Sequence, residues 1–197
     1  MRVQETQVQT DRVWTVPNML SFLRLLGIPV FLWLVLVPEA DGWAAALLVV
    51  ASFTDWLDGY IARRTGAISR LGQLLDPIAD RLYILATLVG LLLREIVPLW
   101  LVVVLLSRDV VLAVVLAVLK RHGVTGIPVH FLGKAATFCL LIAFPLLLIG
   151  AGTGAPAELA KAVGWAFTLW GTALYWWAGL LYLVQARAVL ARHPVAG

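Results

Sequence analysis

The sequence holds a single cysteine, Cys139, together with two methionines and three histidines among 197 residues, and only 13% of the chain is charged. One cysteine cannot close an intrachain disulfide, so the fold owes nothing to covalent bridges, and the redox compartment stays unread. Charge this sparse, set against 62% hydrophobic residues, lies outside the composition of a soluble globular domain. No small-residue cleavage pattern closes the first apolar stretch, which follows a polar segment and contains Arg24; it reads as a retained helix, not a signal peptide. Lipidation signals and internal repeats are also missing, and low-complexity sequence is confined to the Gly/Ala-rich segment 150–157, expected as an outer loop.

What the chain has instead is apolar length. Stretches at 19–37, 43–61, 74–93, 97–119, 132–150 and 162–184 each approach the roughly 20 residues that a spanning helix needs. The expected fold class is therefore an all-α integral membrane protein with six transmembrane helices. It forms one membrane domain over 1–197, with 1–17 and 185–197 as tails. An N-terminus in the cytoplasm puts Arg2, Arg12, Arg63, Arg64, Arg70, Lys120, Arg121, Lys134, Arg187 and Arg192 inside, and only Arg94 and Lys161 outside. By the positive-inside rule both termini face the cytoplasm of a cell membrane. The net charge of +4 then faces anionic lipid headgroups, and nucleic acid is not an expected partner. Trp43, Trp100 and Trp165 fall near outer helix ends, as an aromatic belt or as plain helix packing.

Against this background the segment SFTDWLDGYIARRTGAISRLGQLLDPIADRLYILA carries four aspartates. At the helical period, Asp55, Asp58, Gly59 and Ala62 share one face of the second helix, and Gly72, Asp76 and Asp80 share one face of the third. The two faces lie at the cytoplasmic side, joined by a short basic loop over 63–71, and can meet there. Four facing carboxylates cannot all stay ionised without cations, because like charges and burial both disfavour the charged form. With no cysteine or histidine nearby, Mg²⁺ or Mn²⁺ suits the set, and a pair of such ions is a known clamp for a phosphorus centre. Gly59 and Ala62 leave room for a ligand against the backbone, and Arg63 offers a fork for phosphate oxygens. The plain alternative for any one of these acids is an interfacial position at a helix end. The DWLDG spacing excludes an EF-hand loop.

The pattern Asp55-x2-Asp58-Gly59-x2-Ala62-Arg63-x8-Gly72-x3-Asp76-x3-Asp80 resembles, position for position, the signature of the CDP-alcohol phosphatidyltransferase family. The resemblance implies a six-helix membrane bundle, an active site near the cytoplasmic boundary and a homodimer. It implies further that CDP-diacylglycerol sets its pyrophosphate on two divalent ions, Mg²⁺ or Mn²⁺, held by Asp55, Asp58 and Asp76. Asp80 is then the general base, with a share in metal binding. Gly59 and Ala62 line the cytidine pocket, Arg63 holds the pyrophosphate, and Gly72 serves close helix packing.

The acceptor must be read elsewhere. LLSRDVVLA places Arg108 and Asp109 inside an apolar stretch, where charge is costly, and neighbours on a helix diverge, so each is expected to need its own partner. Arg108 and Lys134 are candidates for holding an acceptor phosphate; equally, Arg108 can be a counter-ion to a motif aspartate and Lys134 can snorkel to the headgroups. TVPNMLSFLRLLGIP and VHFLGKAATFCLLIAFPLLLIG resemble the branch with glycerol-based acceptors, sn-glycerol 3-phosphate or phosphatidylglycerol. An inositol-phosphate acceptor is the alternative. Asn18 and Arg24 frame the donor site from the first helix, or act as an N-cap and a buried counter-ion. His122 and His130 read as solvated loop residues. Trp165, Trp170, Trp176 and Trp177 read as packing or dimer surface, and Pro29, Pro98 and Pro145 as kinks. From another class, membrane acids also suit a divalent-cation or proton transporter, but the outer halves offer few polar residues to complete a path.

Overall fold

The structure, a computed structural model, describes residues 16–65, 70–122 and 131–192, and the side chains among them other than those at 16–18, 56, 58–65, 70–77 and 191–192. Its elements are α-helices: α1 (Val16–Leu36), α2 (Asp41–Thr65), α3 (Arg70–Leu93), α4 (Leu99–Arg121), α5 (Phe131–Ile149) and α6 (Ala155–Arg192). Apolar runs of this length fold as helices in lipid because a helix satisfies its own backbone polar groups. Pro29 and Pro145 sit inside α1 and α5. Pro98 is instead the N-cap of α4, so it marks an entry and not a kink.

Several boundaries differ from expectation for one reason, the helix propensity of arginine and alanine. Arg63, Arg64 and Arg70, expected in a loop, belong to α2 and α3, which leaves only 66–69 as the connection, outside the described residues. The tail expected from residue 185 is helical through Arg192, and the Gly/Ala-rich segment yields to helix at Ala155. At 38 residues α6 is roughly 57 Å long by its rise per residue, well beyond a hydrocarbon core of about 30 Å. Asn18 falls inside α1 and not before it.

Among the described residues four helices are long and apolar enough to cross a membrane, over Met19–Leu36, Leu99–Arg121, Phe131–Ile149 and Ala155–Leu190. The chain is thus a multi-pass membrane protein. Large apolar side chains point outward along these helices, among them Leu26, Trp33, Val110, Phe131 and Trp170, as lipid contact requires. The helices α2 and α3 carry Asp41, Asp55, Asp58, Arg63, Arg64, Arg70, Asp76, Asp80 and Arg81 along their length.

The helices form two compact units that divide between Glu95 and Ile96. In the first, α1 packs against both α2 and α3, around Phe31, Val35, Ala44, Leu48, Ala79 and Leu88. A Cβ on Gly90 of α3 would lie 3.4 Å from the Phe31 ring, so this glycine sets how closely α1 and α3 approach. One end of the unit is clamped by Arg94. Its Nη1 donates to the Val35 carbonyl at 2.8 Å and to Asp41 Oδ1 at 3.0 Å, and its Nη2 lies 3.2 Å from Glu39 Oε2. Glu39 has a φ of 50°, rare for a residue with a side chain, and the Arg94 contact helps to offset that strain.

In the second unit α6 packs against α5 and α4. The α5–α6 seam is lined with small residues, as expected where lipid offers no hydrophobic drive and backbones must approach closely. A Cβ on Gly164 would meet the Leu147 backbone nitrogen at 3.1 Å, and one on Gly171 the Cys139 Cβ at 3.1 Å. At the helix-helix turn, a Cβ on Gly150 would stand 2.7 Å from the Lys161 backbone. Trp176 Nε1 donates to the Val104 carbonyl at 3.0 Å, tying α6 to α4, while Trp170 and Trp177 face outward.

Candidate active site

Two of the four acids expected on α2 and α3, Asp55 and Asp80, meet by way of α1. Arg24 of α1 is buried, its side chain 3% exposed, and its Nη2 lies 2.8 Å from Asp55 Oδ1 on α2. Its Nη1 donates to Asp80 Oδ1 on α3. Two carboxylates from different helices thus share one guanidinium while remaining about half exposed, at 49% and 42%. Burying the charged head of Arg24 is tolerable because these pairs compensate it. Of the two explanations that the sequence left open for Arg24, a frame for the donor site and a buried counter-ion, the structure shows the counter-ion contact.

The signature residues Asp58, Gly59 and Ala62 lie on α2, and Gly72 and Asp76 on α3, within helix as expected, and Arg63 lies in the last turn of α2; their side chains lie outside the described residues. Among the described residues no three metal-ligating side chains stand together. The chemistry of the described donors nonetheless fits a hard divalent cation: two carboxylate oxygens aimed at one positive charge, with no sulfur or imidazole beside them.

Beside Arg24 an apolar groove of about 260 Å³ runs along the first unit, lined by Leu26, Gly27, Val30, Leu47 and Ala51 with Arg24 and Thr54. Thr54 Oγ1 donates to the Ala51 carbonyl at 2.8 Å, and Ser52 Oγ to that of Leu48 at 2.8 Å, so both hydroxyls are turned onto their own helix. Tyr83 closes the α3 side, its ring centroid 6.1 Å from that of Phe31.

The second unit holds its own charged cluster. Arg108 Nη1 donates to Asp109 Oδ1 at 3.1 Å, and its Nε to the Tyr175 carbonyl at 3.3 Å. The guanidinium carbon lies 3.8 Å from the Tyr175 ring centroid, and the Tyr175 hydroxyl donates to Asp109. This corrects the expectation that neighbours on α4 must find separate partners. Tyr175 on α6 receives both, because the arginine stem is long enough to fold over the ring while the hydroxyl collects the aspartate. Sequence reasoning missed Tyr175. Gly179, one turn on, leaves room for the arginine: a Cβ there would come within 3.4 Å of Arg108 Cγ. Lys134 is exposed on α5. His122 is no free loop residue: it caps α4, its Nδ1 donating to the Val118 carbonyl at 2.8 Å. His130 lies outside the described residues.

Comparison with known proteins agrees with the signature. The family described as CDP-alcohol phosphatidyltransferase matches residues 14–190. A cardiolipin synthase (CMP-forming) of Streptomyces coelicolor is 59% identical over 201 residues, covering 100% of this chain and 93% of that protein. A putative cardiolipin synthase of Mycobacterium bovis is 45% identical over 190 residues, 96% of this chain and 91% of the relative. A CDP-diacylglycerol–glycerol-3-phosphate 3-phosphatidyltransferase of Bacillus subtilis is 32% identical over 151 residues, 70% of this chain and 78% of its own length. The motif, the match over nearly the whole chain and these relatives together make the chain a member of the CDP-alcohol phosphatidyltransferase family of membrane enzymes.

Proposed function

We propose that the protein transfers the phosphatidyl group of CDP-diacylglycerol to the hydroxyl of a glycerol-based acceptor and releases CMP. Phosphatidylglycerol is the acceptor we favour, with cardiolipin as product, because the chain is 59% identical over its full length to a protein named cardiolipin synthase. sn-Glycerol 3-phosphate is the alternative, on the likeness to the Bacillus subtilis transferase. The observation that carries the mechanism is the approach of Asp55 and Asp80, from two helices, to one positive charge.

In this reading Asp55, Asp58, Asp76 and Asp80 hold two ions of Mg²⁺ or Mn²⁺. When bound, such ions supply positive charge to the phosphorus centre and its oxygens. Gly59 and Ala62 admit the cytidine against α2, Arg63 holds pyrophosphate oxygens, and Gly72 lets α3 pack closely. Asp80 accepts the proton of the acceptor hydroxyl. The hydroxyl oxygen then bonds to the phosphorus nearer the lipid, and the bond from that phosphorus to the bridging oxygen breaks, with CMP as the leaving group. Arg108, held by Tyr175 and Asp109, and Lys134 on α5 are the residues we assign to the acceptor. Six membrane crossings, cytoplasmic termini, an active site at the cytoplasmic face and a homodimer complete the proposal, supported by the basic residues of the α2–α3 end and by family membership.

The test is CMP release by purified protein in detergent with CDP-diacylglycerol and Mg²⁺, offered phosphatidylglycerol, sn-glycerol 3-phosphate or inositol 1-phosphate. Release with phosphatidylglycerol that is lost in Asp76→Asn is the expected result. Release with inositol 1-phosphate alone would overturn the acceptor, and no release with any of the three would overturn the donor.

A further inference from the structure

A family signature drawn from α2 and α3 says nothing of α1, yet α1 is the helix that packs against both and inserts the cation between their acids. Arg24 is buried to 3% of its side-chain surface, while the carboxylates that it meets are 49% and 42% exposed. The arrangement is one-sided: the positive group is enclosed by protein, and the negative groups keep a solvent face on which another cation can act. A guanidinium cannot lose its proton, so this charge is permanent. Its planar fork fixes two oxygens at once, one on each nitrogen.

We propose that Arg24 is a positioning residue of the active site, a built-in counter-ion that holds Asp55 and Asp80 in converging positions before any divalent ion arrives. The inference rests on the reading of those aspartates as metal ligands. Without Arg24 two carboxylates on separate helices repel, and α1, α2 and α3 are driven apart at this end unless an ion from solution takes over. The arginine therefore makes assembly of the site independent of metal, and leaves metal binding to chemistry instead of to folding.

The test compares thermal unfolding of the full-length protein in detergent, in EDTA and in saturating Mg²⁺, for the wild type, Arg24→Gln and Arg24→Lys. In Arg24→Gln the Mg²⁺-induced rise in Tm is expected to be at least roughly twofold that of the wild type, because the ion then stabilises carboxylates that have lost the guanidinium. Arg24→Lys keeps the charge and is expected to return the rise toward the wild-type value. If Arg24→Gln does not fold in EDTA, Arg24→Gln/Asp80→Asn removes both charges and is expected to fold under that condition. An equal loss of Tm with and without Mg²⁺ in Arg24→Gln would overturn the counter-ion role and leave Arg24 as packing. Absence of any Mg²⁺ shift in both the wild type and Arg24→Gln would overturn the metal-ligand reading itself, and the inference with it.

Discussion

Asp80 on α3 receives a hydrogen bond from Arg24 on α1, across 56 positions of sequence, and the same guanidinium lies 2.8 Å from Asp55 on α2. Asp80 is thus the acid whose orientation the first helix controls, which suits a group that must meet a hydroxyl in a fixed direction. Asp80→Asn is expected to lower CMP release at least about 100-fold, the scale of a lost general base. CDP binding, measured by titration calorimetry, is expected to persist. Turnover at the wild-type rate in this variant would remove Asp80 from the base role.

Removal of divalent metal is expected to stop the reaction. CMP release is expected to fall to background in EDTA and to return on addition of Mg²⁺ or Mn²⁺, with Asp55→Asn needing a higher metal concentration for half-maximal rate. Full activity in EDTA would refute the assignment of the acids as ligands.

Tyr175 gives a way to separate ring from hydroxyl. Tyr175→Phe keeps the ring 3.8 Å from the Arg108 guanidinium and loses only the donation to Asp109, so a change of acceptor KM of no more than a few-fold is expected. Tyr175→Ala removes the ring as well, a loss of about 1–2 kcal/mol in holding Arg108, equivalent to roughly a tenfold rise in acceptor KM. An unchanged acceptor KM in Tyr175→Ala, with stability intact, would take Arg108 out of the acceptor site.

The α5–α6 turn is expected to be the least tolerant of added volume. Gly150→Ala puts a methyl 2.7 Å from the Lys161 backbone, which cannot swing aside as a side chain can, and a loss of about 1–3 kcal/mol is expected as a lower Tm. Gly42→Ala is the control, since nothing lies within 4 Å of a Cβ there. Equal Tm values for the two variants would contradict the close approach.

Much of the fold was legible in the sequence, because apolar runs of about 20 residues and a helical acid spacing are local signals. The helix count, the sharing of a locus by Asp55 and Asp80, and the burial of Arg24 followed from such signals. The limits of α6 did not, since Ala155–Arg192 extends past its apolar part on propensity alone, and a hydropathy reading stops where apolar residues thin out. Tyr175 was invisible for another reason. Its partners lie 66 and 67 positions away, and a tyrosine among four tryptophans on α6 has no pattern that sets it apart. The role of α1 as intermediary was similarly hidden, because spacing within α2 and α3 reveals shared faces but not the third helix between them.

The Arg94 clamp lies just past the end of α3, fourteen residues beyond Asp80, roughly 21 Å at the helical rise. With Val35, Glu39 and Asp41 bolted to it at one end, the first unit has the form of a pair of tongs, whose jaws are α1 and α3 and whose tips hold Arg24 and Asp80. A pivot of roughly 3° at the bolt moves a tip by roughly 1 Å over that span, a displacement large enough to matter at a reacting phosphorus. Residues at the clamped end of this unit can therefore govern the gap between Arg24 and Asp80 without ever approaching a substrate.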